Sequence, residues 1–256
     1  VVLECMAVNP QYQWVAEQNM IQSTVSVITN VRPDHLDEMG STLADNAMSL
    51  SNTIPFNGKL VTSAKEMGSV LEQVSEKRNT EFNIVAGDEV TPEYLGRFPY
   101  LEHKDNIALA LKVCELSGVE KETALDGMVH TPPDPGATII WGLNCNGTLN
   151  YFVNVFAAND PTSTLDIWHQ LQEKIIDSPT CIFLNTRDDR RYRTNQLLSL
   201  IYTQIKPDAL IVRGEKLGSK FHDYQQDNPH IKSVQLPYKV GIKGIVLEFS
   251  KLENYY

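Results

Sequence analysis

The chain has 256 residues, 42% of them apolar and 21% charged, and its formal net charge at pH 7 is −10. That composition is ordinary for a globular protein of one large or two modest domains, and a chain this long buries enough surface to need no disulfide or metal staple. The acidic balance excludes general binding to nucleic acid or anionic membranes, and no run reaches the ~18 apolar residues of a membrane helix.

VVLEC (1–5) is β-branched and apolar and predicts a strand. Asn9-Pro10 predicts a helix start over 10–20, with proline in the first turn. TVSVITN (24–30) predicts the next strand, Ser41 a cap for a helix over 41–52, KLVTS (59–63) a third strand, 65–77 a helix and FNIVA (82–86) a fourth strand. Asp105 predicts a cap for DNIALALKVCELSG, where Ile107, Ala110, Leu111 and Cys114 make one apolar stripe and Gly118 stops the helix. A further helix is expected over 120–129.

TPPDPGA (131–137) holds three prolines and a glycine, which continue neither element. It sets a boundary between domains at 1–136 and 137–256. Beyond it, TIIWGLN and TLNYFVNVF flank Cys145-Asn146-Gly147 as a hairpin. Asn146-Gly147-Thr148 also fits a glycosylation sequon, but Asn-Gly between strands points to a turn. A helix at 161–174, strand TCIFLNT, a helix at 191–205, strand ALIVRG and a helix starting near Gly244 follow. Repeated βα units in both halves predict an α/β architecture with mainly parallel sheets. The cysteines at 5, 114, 145 and 181 are scattered, which suggests reduced thiols and a cytoplasmic setting rather than zinc or disulfides.

The stretch ITNVRPDHLDEMGST (28–42) raises the chemical question, because a strand runs directly into Asp34, His35, Asp37 and Glu38. If VVLEC and TVSVITN are parallel, joined by one helix, their carboxyl ends share one sheet edge, where open α/β sheets bind ligands. Glu4, Asp34 and His35 could then converge; carboxylate oxygens suit Mg²⁺, and one imidazole beside them also tolerates Mn²⁺. The other reading is a solvated loop in which Asp34 and Asp37 cap a turn and His35 is a surface residue. Asn106 likewise serves either a ligand or its own helix start, and Asn159 and Asp160 before Pro161 are an ordinary helix beginning. NTRDDRRYRT (185–194) is the densest basic cluster in this acidic chain, and Arg190 and Arg193 share a face if a helix starts near Asp189. It is either an anion site or a surface Asp–Arg network.

ECMAVNP with NVRPDHLDEMG resembles the Mur ligase superfamily of ATP-dependent amide-bond ligases, and within it the ligase subunits of bacterial poly-γ-glutamate (capsule) synthases. DNIALAL, TPPDPGA, FAANDPTSTLDIW and NTRDDRRYRT extend the likeness along nearly the whole chain. The resemblance implies a P-loop-type central ATPase domain followed by a Rossmann-like C-terminal domain, with the active site between them. It implies metal positions at Glu4 and His35, nucleotide contact at Asn106, Asn159 and Asp160, and catalytic roles for Arg187, Arg190 and Arg193. ATP and Mg²⁺ would be the cofactors, glutamate or a glutamyl chain the substrate, and membrane subunits of a polymer synthase the partners; homo-oligomers stay open. A non-catalytic nucleotide-responsive or scaffolding subunit, or a folylpolyglutamate or cell-wall peptide ligase, are the alternatives.

Three features depart from that pattern. No G-x-x-x-x-G-K-[ST] loop occurs, the only Gly-Lys pair being Gly58-Lys59. The chain therefore reads as the portion after such a loop, inactive by itself and with VVLEC as an unpaired edge. Residues 47–53, AMSLSNT, carry no lysine where many relatives place a modified one, and PDPGATII lacks an arginine found in many relatives near the γ-phosphate.

Overall fold

Asn9 accepts from the Gln11 backbone N–H and Pro10 fills the first turn, so helix α1 runs over Pro10–Val15 and continues as a π-helical segment to Ile21. The computed structural model describes residues 1–256 except 146–147, 159, 173–178, 216 and 252–256. Strand β1 (Val25–Ile28) follows, then a short turn of helix α2 (Leu36–Met39) and α3 (Leu43–Leu50). Thr42, not Ser41, caps α3. Its hydroxyl accepts from Asp45 N–H while the Asp45 carboxylate accepts from Thr42 N–H, because only the residue three before the acidic partner closes that reciprocal pair. Next come β2 (Lys59–Thr62), α4 (Gly68–Lys77), β3 (Glu81–Ile84), α5 (Pro92–Leu95), α6 (Lys104–Leu116) and α7 (Lys121–His130). His103, rather than Asp105, is the N-cap of α6, and Asp105 turns outward from the helix to accept from Gly87 N–H at 2.8 Å.

β1, β2 and β3 form a parallel sheet in that order. The central strand is buried on both faces, as its near-continuous apolar run requires. Ile28, Ala47, Ile54, Leu60 and Leu71 make the core around it. The expected strand at 1–5 is absent. Residues 1–8 have no regular structure and Val1, Val2 and Leu3 are exposed, so VVLEC does not pair with TVSVITN. A strand exists only through a ladder partner, and β-branching alone supplies none.

The chain divides between Pro133 and Asp134, inside the TPPDPGA stretch. In the second unit β4 (Ile140–Cys145) and β5 (Thr148–Val153) pair antiparallel; the Asn146-Gly147 turn lies outside the described residues. Then follow α8 (Pro161–Gln172), β6 (Cys181–Asn185), α9 (Arg191–Leu200), extended by a π-helical segment to Ile205, β7 (Ala209–Arg213), α10 (Ser219–Asp227), β8 (Lys232–Leu236) and α11 (Ile242–Ser250). β6, β7 and β8 form a second parallel sheet with β7 buried at its centre. Leu198, Tyr202, Leu210, Val212 and Phe221 pack one face; Ala209, Ile211 and Leu236 pack the other, with Phe183 and Phe249. Both units are therefore α/β, as expected.

Cys181 begins β6, and burial pushes its thiol up to about 12. It is expected to resist iodoacetamide at pH 8, where exposed Cys5 reacts. The folded state holds the proton more tightly than the unfolded chain, whose thiol titrates near the ordinary 9.0. This contribution to stability is whole below pH 9 and is lost as pH rises toward 12. Mass spectrometry of the alkylated protein reads the contrast, and equal labelling of both cysteines at pH 8 would contradict it.

Candidate functional site

Each parallel sheet presents a carboxyl edge, and the sequence's candidate residues distribute over the two. On the first, β1 leads into the 30–42 loop, β2 into Ser63–Lys65 and β3 into Gly87–Asp88. The β3 turn is bound to the start of α6. Lys104 Nζ meets Asp88 at 3.0 Å, Lys65 meets it at 3.9 Å, and Gly87 lies so close to Lys104 that a Cβ there would stand 2.5 Å from the Lys104 carbonyl carbon. The two lysines hold the Asp88 carboxyl below its usual range, the Lys104 hydrogen bond foremost. The His35 loop and the Asn106 turn of α6 thus lie along one edge.

The acidic run after β1 is largely accounted for by local bonding. Asp34 accepts from His35 N–H at 2.9 Å, Glu38 accepts from the Asn9 side chain at 3.0 Å, and Asp37 lies exposed on α2. His35 Nε2 stands 3.8 Å from Asp34 Oδ2. Glu4 is exposed within residues 1–8. That segment is tied down nearby, because buried Gln13 donates to the Ala7 and Val8 carbonyls and accepts from Ser49 Oγ. The Asn9–Glu38 bond joins the ECMAVNP segment to HLDEM, so the two motifs meet although no strand pairing brings them together. Among the described residues no group of three His, Cys, Asp or Glu side chains is arranged to hold a metal. Asn106 is exposed and donates to Glu102 at 2.9 Å. Its cap is taken by His103.

The second edge holds the basic cluster. A cleft of about 250 Å³ opens beyond β6 and β7, lined by Arg187, Arg191, Thr194, Asn195 and Lys220 and also by the carboxylate residue Asp188. Its floor is fixed by Thr186, whose hydroxyl donates to the Arg213 carbonyl and meets Tyr238 Oη at 3.2 Å. Gly214 is needed beside it, since a Cβ would collide with Thr186 Oγ1. The α-helix begins at Arg191, as expected for a helix over 191–205, after a single 3₁₀ turn over Asp188–Arg190; the start near Asp189 that would put Arg190 and Arg193 on one face does not form. The shared face is therefore Arg191, Thr194 and Asn195, spaced i, i+3, i+4. Arg190 and Arg193 are not among the lining residues. Neither α9 nor α10 has a side-chain cap, so both first turns leave backbone N–H groups beside the cleft.

Arg187 makes a two-pronged pair with Asp189 at 2.7 and 3.0 Å. That hydrogen bonding raises the guanidinium's pKa and lowers that of the carboxyl. Both side chains are exposed, so solvent screens the pair and it adds little to stability. Asp160 caps α8, accepting from Ser163 N–H at 2.9 Å and from its hydroxyl. Asn159 lies outside the described residues. Arg191 stands in the basic cluster but was not among the residues picked from it, although the expected helix start at 191 was its signal; Lys220 carried none.

Residues 143–240, which include this cleft, match the family described as the poly-gamma-glutamate synthase CapB C-terminal domain. This part of the chain belongs to that family. The chain is 40% identical over 243 residues to the PGA synthase CapB of Bacillus subtilis, covering 93% of this chain and 61% of the relative. It is also 40% identical over 215 residues to the capsule biosynthesis protein CapB of Bacillus anthracis, covering 84% and 46%. The chain thus spans about half to three fifths of the curated relatives it matches. Among solved structures, E. coli FolC in complex with ADP superposes with a TM-score of 0.65 at 14% identity, over 93% of this chain and 58% of that one. The bifunctional folylpolyglutamate/dihydrofolate synthase of Yersinia pestis with AMPPNP and Mn gives 0.65 at 13%, over the same shares. These likenesses extend through both units and show that the fold is that of Mur-ligase-like folylpolyglutamate synthases. Among the described residues no helix is long and apolar enough to cross a membrane.

Proposed function

We propose that the chain is part of an ATP-dependent ligase that adds glutamate to poly-γ-glutamate. The observation that carries this reading is the 40% identity to a PGA synthase along 93% of the chain. In the reaction a carboxylate oxygen of the acceptor attacks the γ-phosphorus of ATP, ADP leaves, and an acyl phosphate results. The amine of the incoming glutamate then attacks the acyl carbon, phosphate departs with the C–O bond electrons, and the amine loses a proton as the amide forms. Both steps move negative charge, so catalysis rests on position and cationic stabilisation rather than on a protein nucleophile.

In this reading residues 1–136 are the ATPase part and 137–256 the Rossmann-like ligase part. Glu4 and His35 hold a divalent cation. A carboxylate and an imidazole suit Mg²⁺ or Mn²⁺, and Mg²⁺ takes few protein ligands because water and phosphate oxygens complete its shell. A two-donor set thus fits a nucleotide-bound cation better than a free one. When bound, the cation neutralises charge on the phosphate oxygens. Asn106, on the same sheet edge as His35, and Asn159 and Asp160 are the nucleotide-contact positions that the resemblance implies. The cleft supplies Arg187, Arg191 and Lys220 to carboxylate or phosphate groups, with Arg190 and Arg193 adding to the local positive field; guanidinium forks match such oxygens two at a time. Membrane subunits of a polymer synthase are the expected partners.

The test of the cation assignment is a pair of variants in the full-length protein. Glu4→Ala and His35→Ala should each weaken Mg²⁺-dependent ATP turnover at least tenfold and leave the melting temperature nearly unchanged, since both side chains lie largely outside the core. Parental Mg²⁺ dependence in both would remove the cation from these residues. Glutamate incorporation by the parent protein with Mg-ATP tests the reaction itself, and ATP turnover without polymer elongation would reject it.

A further inference from the structure

Asn46 lies on α3, outside every motif of the resemblance, and is 1% exposed. Its Oδ1 accepts from Asp34 N–H at 3.2 Å, and its Nδ2 donates to the Gly40 and Thr42 carbonyls, both at 3.0 Å. A side-chain amide offers two donors and an acceptor oxygen, and all of these are spent on the two ends of the loop that carries His35. Between those ends His35 adopts φ 45°, ψ 48°, a left-handed conformation that is strained for a residue with a Cβ. Such a conformation persists only where its surroundings over-determine it. Here they do so through Asp34, whose carboxylate accepts from His35 N–H while its own N–H is held by Asn46. Gly40, at φ 102°, closes the far end against Asp45. The buried amide therefore sets the backbone on either side of the imidazole without touching it.

We propose that Asn46 is the positioning residue that fixes His35 for the divalent cation; this rests on the assignment of that cation to Glu4 and His35. Asn46 offers the cation nothing itself. It holds a strained loop in the one arrangement that aims the imidazole, as hydrogen-bonding partners of metal ligands do elsewhere, where their loss weakens metal affinity about 10- to 100-fold.

The experiment measures Mn²⁺ binding by electron paramagnetic resonance in the full-length protein, with Mn²⁺ and AMPPNP together as the probe. Asn46→Ala is expected to weaken Mn²⁺ binding about 10- to 100-fold and to speed amide exchange across residues 34–42. Thr80→Val removes a buried hydroxyl that donates to the Pro55 carbonyl. It should lower the melting temperature by a comparable amount with Mn²⁺ affinity intact. Should Asn46→Ala not fold, Asn46→Ser, whose hydroxyl is too short to span both loop ends, is read the same way. Parental Mn²⁺ affinity in the Asn46 variant, alongside its loss in His35→Ala, would overturn the proposal while leaving the cation in place. Parental affinity in His35→Ala would instead remove the cation assignment, and this proposal with it.

Discussion

Replacing Arg191 by glutamine is expected to lower kcat/KM for the glutamyl substrate by roughly thirty-fold to several thousand-fold in the full-length protein. The range follows from the 2–5 kcal/mol lost when one partner of a hydrogen-bonded charge pair is truncated. Arg191 opens α9 and lines the cleft with Thr194 and Asn195. Among the described residues its guanidinium has no ion pair of the kind that joins Arg187 to Asp189. An anion entering the cleft would thus gain a fresh two-pronged contact at Arg191, whereas Arg187 must first yield part of its pairing. Arg190→Gln is the comparator, because Arg190 precedes the helix and does not line the cleft. It should change kcat/KM less than fivefold. Both arginines are exposed, so neither substitution should move the melting temperature appreciably. Equal losses in the two variants would mean that the field of the whole cluster matters and not the cleft geometry. Parental kinetics in both would reduce the cluster to surface charge.

The largest effect on stability is expected at Arg78. Only 8% exposed, its guanidinium donates to the Ser51 carbonyl at 2.8 Å and to the Ile54 carbonyl at 2.5 Å. It also lies over the rings of Trp14 and Phe56, 4.9 and 5.4 Å from their centroids. Burial lowers its pKa and the charge of Glu17, itself buried, opposes that shift. One side chain thus joins α1, the turn after α3 and the end of α4. Arg78→Met keeps much of the apolar stem but leaves two carbonyls unpaired and Glu17 without its counter-charge. The cost is about 3–5 kcal/mol, from two buried carbonyls left unsatisfied together with the lost contact to two aromatic faces. For a chain of this size that is a fall in melting temperature of about 10 °C. Arg78→Lys separates the causes: a point charge cannot reach both carbonyls and stack between two rings. A melting temperature near the parental one in Arg78→Lys would show that charge alone suffices; no change in Arg78→Met would show that the site contributes nothing.

How much of this was legible beforehand differs between elements. The two buried central strands, KLVT and ALIVR, announce themselves as short apolar runs between helical patterns, and Pro10 and Pro161 fix helix starts because proline's locked φ suits a first turn. α10 and β8 went unpredicted. SKFHDYQQD buries only Phe221 and KSVQL only Leu236, and with one inward residue neither shows a period. The candidate residues followed the same rule. His35, Asn106 and the arginine cluster could be picked out because each follows a strand or opens a helix. Arg191 was legible only through the expected helix start at 191, which turns a different side of the cluster to the cleft than a start near Asp189 would. Asn46 could not be seen at all, because its role lies in three hydrogen bonds to backbone atoms up to twelve positions away.

By itself, then, the sequence determined the α/β class, the order of the principal elements and the resemblance that points to glutamate ligation. These are encoded in local periodicity, in proline and glycine placement and in contiguous motifs, which neighbours along the chain suffice to specify. Only the tertiary structure decided that VVLEC forms no strand, that the ECMAVNP and HLDEM motifs are joined through Asn9 and Glu38, and that Arg191 and Lys220 face one cleft. Those facts depend on which distant backbone groups find a partner, and a hydrogen bond between residues far apart in sequence leaves no periodic trace in either.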